Sequence, residues 1–240
     1  RSELKFIAVT AAPEIMAFSR ETDGFMYISA SHNPIGHNGI KFGLNDGGVL
    51  NGTENAFLVE KFNSLCTQGE AEKKAFDLIH DVKEESIAKI YKESKNVKEQ
   101  ALKSYHNFLK WTITATEDKK EQDNIFNILK EGIKNRKIGV VCDMNGSARA
   151  DSVDKSFFNE NGINFYAIND KAGQIVHEII PESENLVHVA SYMEQLQKEG
   201  KTDAILGYMP DCDGDRGNIV YWDEEQKKAI ILKAQEVFSL

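Results

Sequence analysis

Proline is scarce in this chain, four in 240 residues, and cysteine is scarcer, at three. Cys66, Cys142 and Cys212 are odd in number and widely spaced, with no CxxC pair, so neither a disulfide framework nor a thiolate zinc site is indicated. A reducing cytoplasm is the simplest setting. No apolar run reaches the ~18 residues that a membrane span needs. The opening Arg1-Ser2-Glu3-Leu4-Lys5 lacks the apolar core of a signal peptide. Positive charge is in deficit: 29 Lys and Arg face 38 Asp and Glu, a net charge of −9. Such a surface disfavours nucleic acid and anionic membranes as partners. It leaves open a phosphorylated small substrate, because a bound cation or a local basic pocket reverses the field.

What the chain does have is 41% hydrophobic residues, enough for a core, and a length that fits one or two domains. Leu4 to Val9 is an apolar, β-prone run. Pro13 opens a short helical stretch to Arg20, as a proline in the first turn can. Phe25 to Ile28 reads as a buried strand, and Gly39 to Phe42 resumes extended character before an Asp46-Gly47-Gly48 turn. Residues 54 to 134 are rich in Glu, Lys, Ala and Gln. A stripe of Ile87, Ile90, Tyr91, Val97, Ala101, Leu102, Tyr105, Phe108 and Leu109 predicts amphipathic helix and carries no evident chemistry. From Lys137 strand and helix alternate again, which implies βαβ units and a mainly parallel sheet. Gly217 to Trp222 and Ala229 to Leu232 flank a turn and predict a hairpin at the sheet's edge.

The densest constellation is Met209-Pro210-Asp211-Cys212-Asp213-Gly214-Asp215-Arg216. In a looping or extended backbone, residues i, i+2 and i+4 can point to one side. Three carboxylates held together repel unless a cation sits among them, and hard oxygen ligands favour Mg²⁺ or Ca²⁺. Gly214 permits the tight path that convergence needs. An EF-hand fails: counting from Asp211, the sixth position is Arg216 rather than Gly and the twelfth is Trp222 rather than Glu. Taken alone, the loop also reads as a polar turn with capping aspartates.

Ser31 sits in a second loop, Ser29-Ala30-Ser31-His32-Asn33-Pro34. A serine hydroxyl is a poor nucleophile without a base or metal. No G-x-S-x-G elbow surrounds it, which argues against that class of hydrolase. Alone, this loop is a turn, and Lys41 beyond it is a surface lysine.

Family resemblance joins the two loops. Ser29 to Pro34, followed by Asn38-Gly39-Ile40-Lys41-Phe42, resembles the active-site loop of the α-D-phosphohexomutase superfamily, the phosphoglucomutases and phosphomannomutases. Asp211 to Arg216 resembles that superfamily's metal loop. Val140 to Gly146 resembles the opening of its second domain, and Pro181 to Leu186 its Pro-rich loop before a helix. The four matches occur in family order.

The resemblance implies two mixed, mainly parallel α/β sheet domains: 1–117, N-terminally incomplete and carrying a helical insertion, and 118–240, carrying the metal loop. It implies a phosphoserine mutase in which Ser31 exchanges a phosphoryl group with a hexose phosphate through a hexose 1,6-bisphosphate. Asp211, Asp213 and Asp215, with an oxygen on Ser31, would hold Mg²⁺. His32 and Lys41 match positions linked to proton transfer and orientation, and Asn33 and Arg216 match the phosphate surroundings. The family usually has four domains, so the chain is expected to be an N-terminal fragment, inactive by itself, whose missing C-terminal domains read the sugar. Alternatives are a phosphoglucosamine mutase and a non-catalytic metal-binding module derived from a mutase. An aspartate-nucleophile phosphatase is disfavoured, since its Asp-x-Asp pair follows the first strand and here the pair comes late.

Overall fold

The computed structural model describes residues 7–29, 31, 33–34 and 36–240. Half of the expected first strand, residues 4–6, falls outside the described residues, and its described half, Ile7 to Val9, is irregular. Helix α1 runs Ala12–Phe18 with Pro13 in its first turn, where a missing N–H is harmless. Strands β1 (Gly24–Ile28) and β2 (Ile40–Leu44) pair antiparallel, Tyr27 opposite Lys41 and Ile28 opposite Ile40. The serine loop is the connection between them. Gly47, at φ +89°, turns the chain after β2, and Asp46 Oδ1 accepts a bond from Gly48 N–H.

Four helices follow: α2 (Gly52–Thr67), α3 (Ala71–His80), α4 (Glu84–Thr114) and α5 (Lys119–Asn135). Their N-termini explain their starts where side chains cap them. Asn51 accepts bonds from Thr53 and Glu54 N–H, and Asp118 accepts from Lys120 and Glu121 N–H. The helices differ in how they are rooted. α2 and α3 bury no side chain, whereas α4 buries Val97, Ala101 and Tyr105. Val97 and Ala101 pack with Phe18 of α1. The predicted stripe is therefore covered only along its later part; Ile87 and Tyr91 stay exposed.

The larger sheet contains β3 (Gly139–Asp143), β4 (Asn164–Ile168), β5 (Ala204–Pro210), β6 (Gly217–Asp223) and β7 (Lys228–Ile231), in the order β4-β3-β5-β6-β7. Helix α6 (Asp154–Glu160) precedes β4, α7 (Ser183–Lys198) precedes β5, and α8 (Ala234–Phe238) follows β7. The α/β reading holds, with a mixed sheet. The expectation that the sheets are mainly parallel is corrected: only β3–β4 and β3–β5 run parallel, while β1–β2, β5–β6 and β6–β7 are antiparallel. The connections after β5 and β6 are too short for the crossover that parallel pairing requires. The predicted edge hairpin is β6–β7.

The main core lies between α7 and this sheet. Leu186, Val189 and Met193 of α7 are fully buried on Val141, Met209 and Val220. The helix sits so close that a Cβ at Gly207 would stand 2.7 Å from Val189 Cγ1. Each of these side chains contributes about 1.5–3 kcal/mol by burial. Against this, β1 and β2 are poorly covered: Met26, Ile28, Ile40, Phe42 and Leu44 share one open face. The buried strand expected at Phe25 to Ile28 is only half realised, because both its faces are apolar and only the α1 side is covered. Among the described residues, no helix is long and apolar enough to cross a membrane.

Candidate active site

The parallel strands β3 and β5 end side by side, and the carboxyl ends of such strands are where ligands meet α/β sheets. β5 ends at Pro210 and the chain re-enters the sheet at Gly217, directly opposite. The loop between is pinned at its neck, where Asp211 N–H donates to Arg216 C=O at 3.1 Å. Asp211 Oδ1 accepts from the N–H groups of Gly214 (3.0 Å) and Arg216 (3.3 Å). Gly214, at φ +75°, makes the turn. The result matches the sequence reading. One oxygen from each of Asp211, Asp213 and Asp215 lies within 4.8 Å of the others.

The serine loop faces this cluster. Ser31 Oγ donates to Asp211 Oδ2 at 3.3 Å, across 180 residues of sequence. Ser31 is held at φ +54°, left-handed backbone that costs a non-glycine residue on the order of 1 kcal/mol. Ser29 offsets that cost. Its Oγ accepts from Ser31 N–H at 2.9 Å and donates to Asp213 Oδ2 at 2.7 Å. Lys41 reaches in from β2, with Nζ 2.9 Å from Asp213 Oδ2 and 3.2 Å from Asp215 Oδ2. From α1, Ala12 N–H donates to Asp213 C=O at 2.8 Å.

Ser31, Lys41 and the three aspartates are thus brought together. Asn33 and Arg216 lie exposed beside them. His32 lies outside the described residues. The sequence reading assigned no role to Ser29, although its position two residues before Ser31 is the spacing at which a hydroxyl can reach the i+2 N–H. A cavity of about 110 Å³ beside Lys41 and Asp215 is walled by Ala12, Phe25 and Tyr27. A larger cleft of about 990 Å³ lies at the other end of the sheet, among Lys137, Tyr221 and Trp222, and contains none of these residues.

The electrostatics are uneven. Burial, then the charges of Asp213 and Asp215, push Asp211 up to about 6. Asp213 moves the opposite way: burial would raise it, but the hydrogen bonds from Ser29 and Lys41 hold it below the usual carboxylate range. Burial works against the Lys41 charge as well, and Asp213 and Asp215 more than restore it, so the ammonium is retained. Asp213 Oδ1 is buried without a hydrogen-bond partner. An orphaned carboxylate oxygen inside an anionic cluster is stabilised by a cation. The all-oxygen donor set fits a hard divalent ion such as Mg²⁺.

No curated protein matches the chain. Among solved structures, the chain is similar to a protein from Thermus thermophilus assigned as a phosphomannomutase, at 16% identity and a TM-score of 0.48, over 90% of this chain and 42% of that one. A phosphoglucomutase/phosphomannomutase family protein from Burkholderia thailandensis gives 16% and 0.44, over 88% and 38%. The N-acetylphosphoglucosamine mutase of Aspergillus fumigatus gives 16% and 0.43, over 93% and 49%. The chain spans less than half the length of each. Residues 3–67 match the family profile "Phosphoglucomutase/phosphomannomutase, alpha/beta/alpha domain I", a segment that includes Ser29, Ser31 and Lys41. Within residues 3–67, the segment that holds the serine loop, the resemblance to the phosphoglucomutases and phosphomannomutases is thereby borne out.

Proposed function

We propose that this chain carries the phosphoryl-transfer centre of a phosphohexose mutase, with residues 1–117 and 118–240 as the first two domains of that enzyme. The activity would move phosphate between C1 and C6 of a hexose through a hexose 1,6-bisphosphate. One observation carries the reading. The serine of one loop and the aspartates of another, 180 residues apart, meet with Ser31 Oγ on Asp211 and Lys41 between Asp213 and Asp215.

Ser31 is the phosphoryl carrier. The Oγ–P bond of phosphoserine breaks as a sugar hydroxyl oxygen bonds to phosphorus, and the hydroxyl proton ends on Ser31 Oγ. The bisphosphate then turns over, and its other phosphate returns to Ser31 by the reverse exchange. Bound by Asp211, Asp213 and Asp215, Mg²⁺ would supply the charge neutralisation that phosphoryl transfer chiefly demands. Ser29 holds the Ser31 backbone in place for the exchange. In the metal-free site Lys41 keeps its proton and balances the aspartates; with the metal bound it is assigned to proton transfer and orientation on the resemblance. Asn33 and Arg216, both exposed, are assigned to phosphate oxygens on the resemblance, and the planar fork of Arg216 suits that role. His32, adjacent to Ser31, is assigned to proton transfer on the resemblance alone.

The test is covalent. The full-length protein, incubated with glucose 1,6-bisphosphate and Mg²⁺, is expected to gain the mass of one phosphoryl group on the peptide holding Ser31. The Ser31→Ala variant should gain none. Equal labelling of both would remove Ser31 from the mechanism.

A further inference from the structure

Three backbone carbonyls of the aspartate loop are tied to one wall of the fold, and they alternate with the three carboxylates. Asn145 Nδ2 donates to Pro210 C=O at 3.1 Å, Ala148 N–H to Cys212 C=O at 3.3 Å, and Arg149 Nη1 to Gly214 C=O at 3.2 Å. Every donor comes from the segment after β3. With the even-numbered carbonyls fixed to that side, the odd-numbered aspartates are left to converge on the other.

Arg149 is the one charged donor of the three, and it is built in. Ser147 caps the single 3₁₀ turn Ala148–Asp151 that carries it. Its guanidinium forks onto Asp154, Nε to Oδ2 at 2.9 Å and Nη2 to Oδ1 at 2.5 Å. Tyr208 OH also donates to Asp154 Oδ1, at 2.6 Å. The guanidinium carbon lies 5.5 Å from the ring centre of Tyr105, which α4 supplies. The aliphatic stem fills the space above Gly214, where an added Cβ would collide with Cγ and Cδ of Arg149. Gly214 therefore serves both its left-handed turn and the passage of this side chain.

We infer that Arg149 is a positioning residue for the metal loop: clamped by Asp154 and Tyr105, it fixes the Gly214 carbonyl and with it the convergence of Asp213 and Asp215. This rests on the aspartates being the metal site proposed above. Its charge is committed to Asp154 and its side chain is only 13% exposed, so it is not a phosphate ligand. Helix α4, which the sequence reading left without chemistry, gains a role as the floor of this clamp. The fork is what matters. It meets both Asp154 oxygens and the Gly214 carbonyl at once in one rigid plane, which a thioether cannot do and a point-like ammonium does less completely.

Mn²⁺ binding to the full-length protein, followed by electron paramagnetic resonance, tests this without turnover. Arg149→Met keeps the stem and loses the fork, and is expected to raise the Mn²⁺ Kd by roughly 10–100-fold, the usual cost of losing an outer support of a metal site. Arg149→Lys, the milder change, should fall between Met and wild type. Near-UV circular dichroism and thermal melts report folding separately. If either folded variant melts lower yet binds Mn²⁺ with wild-type affinity, Arg149 is merely structural and the inference is overturned. Asp213→Asn separates the two levels of the argument. Wild-type affinity in Asp213→Asn, or no binding by wild type, overturns the metal reading and this inference with it. Loss of binding in Asp213→Asn beside unchanged binding in Arg149→Met overturns this inference alone.

Discussion

Replacing Lys41 by Met asks what holds the aspartates together when no divalent ion is bound. In the structure the answer is the Lys41 ammonium, bonded to Asp213 and Asp215 at once. Asp213 is 2% exposed, so its bond to Lys41 is better shielded than a surface pair, which contributes about 0.2–1 kcal/mol, while Asp215 is 30% exposed and its bond is closer to that class. Taking the upper part of that range, the two together stabilise the metal-free site by about 1–2 kcal/mol. A divalent ion entering the cluster must displace that ammonium from the same carboxylate oxygens. Lys41→Met removes the competitor and leaves the stem. The metal-free variant should therefore be less stable by about 1–2 kcal/mol, and should bind Mn²⁺ about 5–30-fold more tightly, because each 1.4 kcal/mol is tenfold. Urea unfolding of chelator-treated protein and calorimetric Mn²⁺ titration measure the two halves, at low ionic strength so that screening does not hide the difference. Unchanged stability with equal or weaker Mn²⁺ binding would refute the idea that Lys41 is the resident counter-ion.

Two further outcomes are expected. Asp211 is pushed up to about 6 from an ordinary 3.8, by burial first and by Asp213 and Asp215 next. The contribution of its protonated form to metal-free stability is fully present below about 4 and is lost as pH rises through about 6. Metal binding needs the ionised form, so Mn²⁺ affinity should be full above about 6 and fall by up to ~10-fold per pH unit below it; titrations from pH 5 to 8 that give a flat line would contradict this. Leu186→Ala, at a fully buried site on α7, should cost about 2–5 kcal/mol in urea unfolding. Leu78→Ala, 61% exposed on α3, should stay within about 0.5 kcal/mol, and the reverse ranking would overturn the placement of the core.

The two loops were legible because each concentrates unusual chemistry in a few residues. Three aspartates at every second position around a glycine leave few ways to fold without a cation. The strand and helix alternation from Lys137 onward was legible for a different reason, since short apolar runs and amphipathic stretches of the right lengths succeed one another. Cover was not legible. Phe25 to Ile28 is apolar on both faces, and the sequence does not say which face a helix will reach. The same holds for Ile87 and Tyr91, which continue the stripe of Val97 and Ala101 past the point where α1 meets α4. Strand direction was misjudged from the βαβ rhythm, although residues 211–216 are too few to cross the sheet. Arg149 carried no signal at all. It belongs to no motif, and its partners Asp154, Tyr105 and Gly214 come from three separate parts of the chain.

The exposed apolar face of β1 and β2 bears on the site itself. A two-stranded hairpin is marginal in water unless something packs on it. Here α1 covers one side only, and polar contacts made at the aspartates tie the hairpin and its loop to the larger sheet. Ser29 and Lys41 bind Asp213, Lys41 binds Asp215, and Ser31 binds Asp211, while Ala12 N–H from α1 reaches the Asp213 carbonyl. The candidate active site is thus also the joint between the serine loop and the sheet. Any change in charge at the three aspartates acts on both at once. Loss of the Lys41 cation weakens the joint, and a divalent ion that takes its place at the carboxylates restores the charge balance there. A phosphoryl group on Ser31 would bring negative charge to the same place, so the phosphorylated form needs the cation more than the free serine does. Cation binding and phosphorylation of Ser31 are therefore expected to favour one another, through the charge balance of Asp211, Asp213 and Asp215.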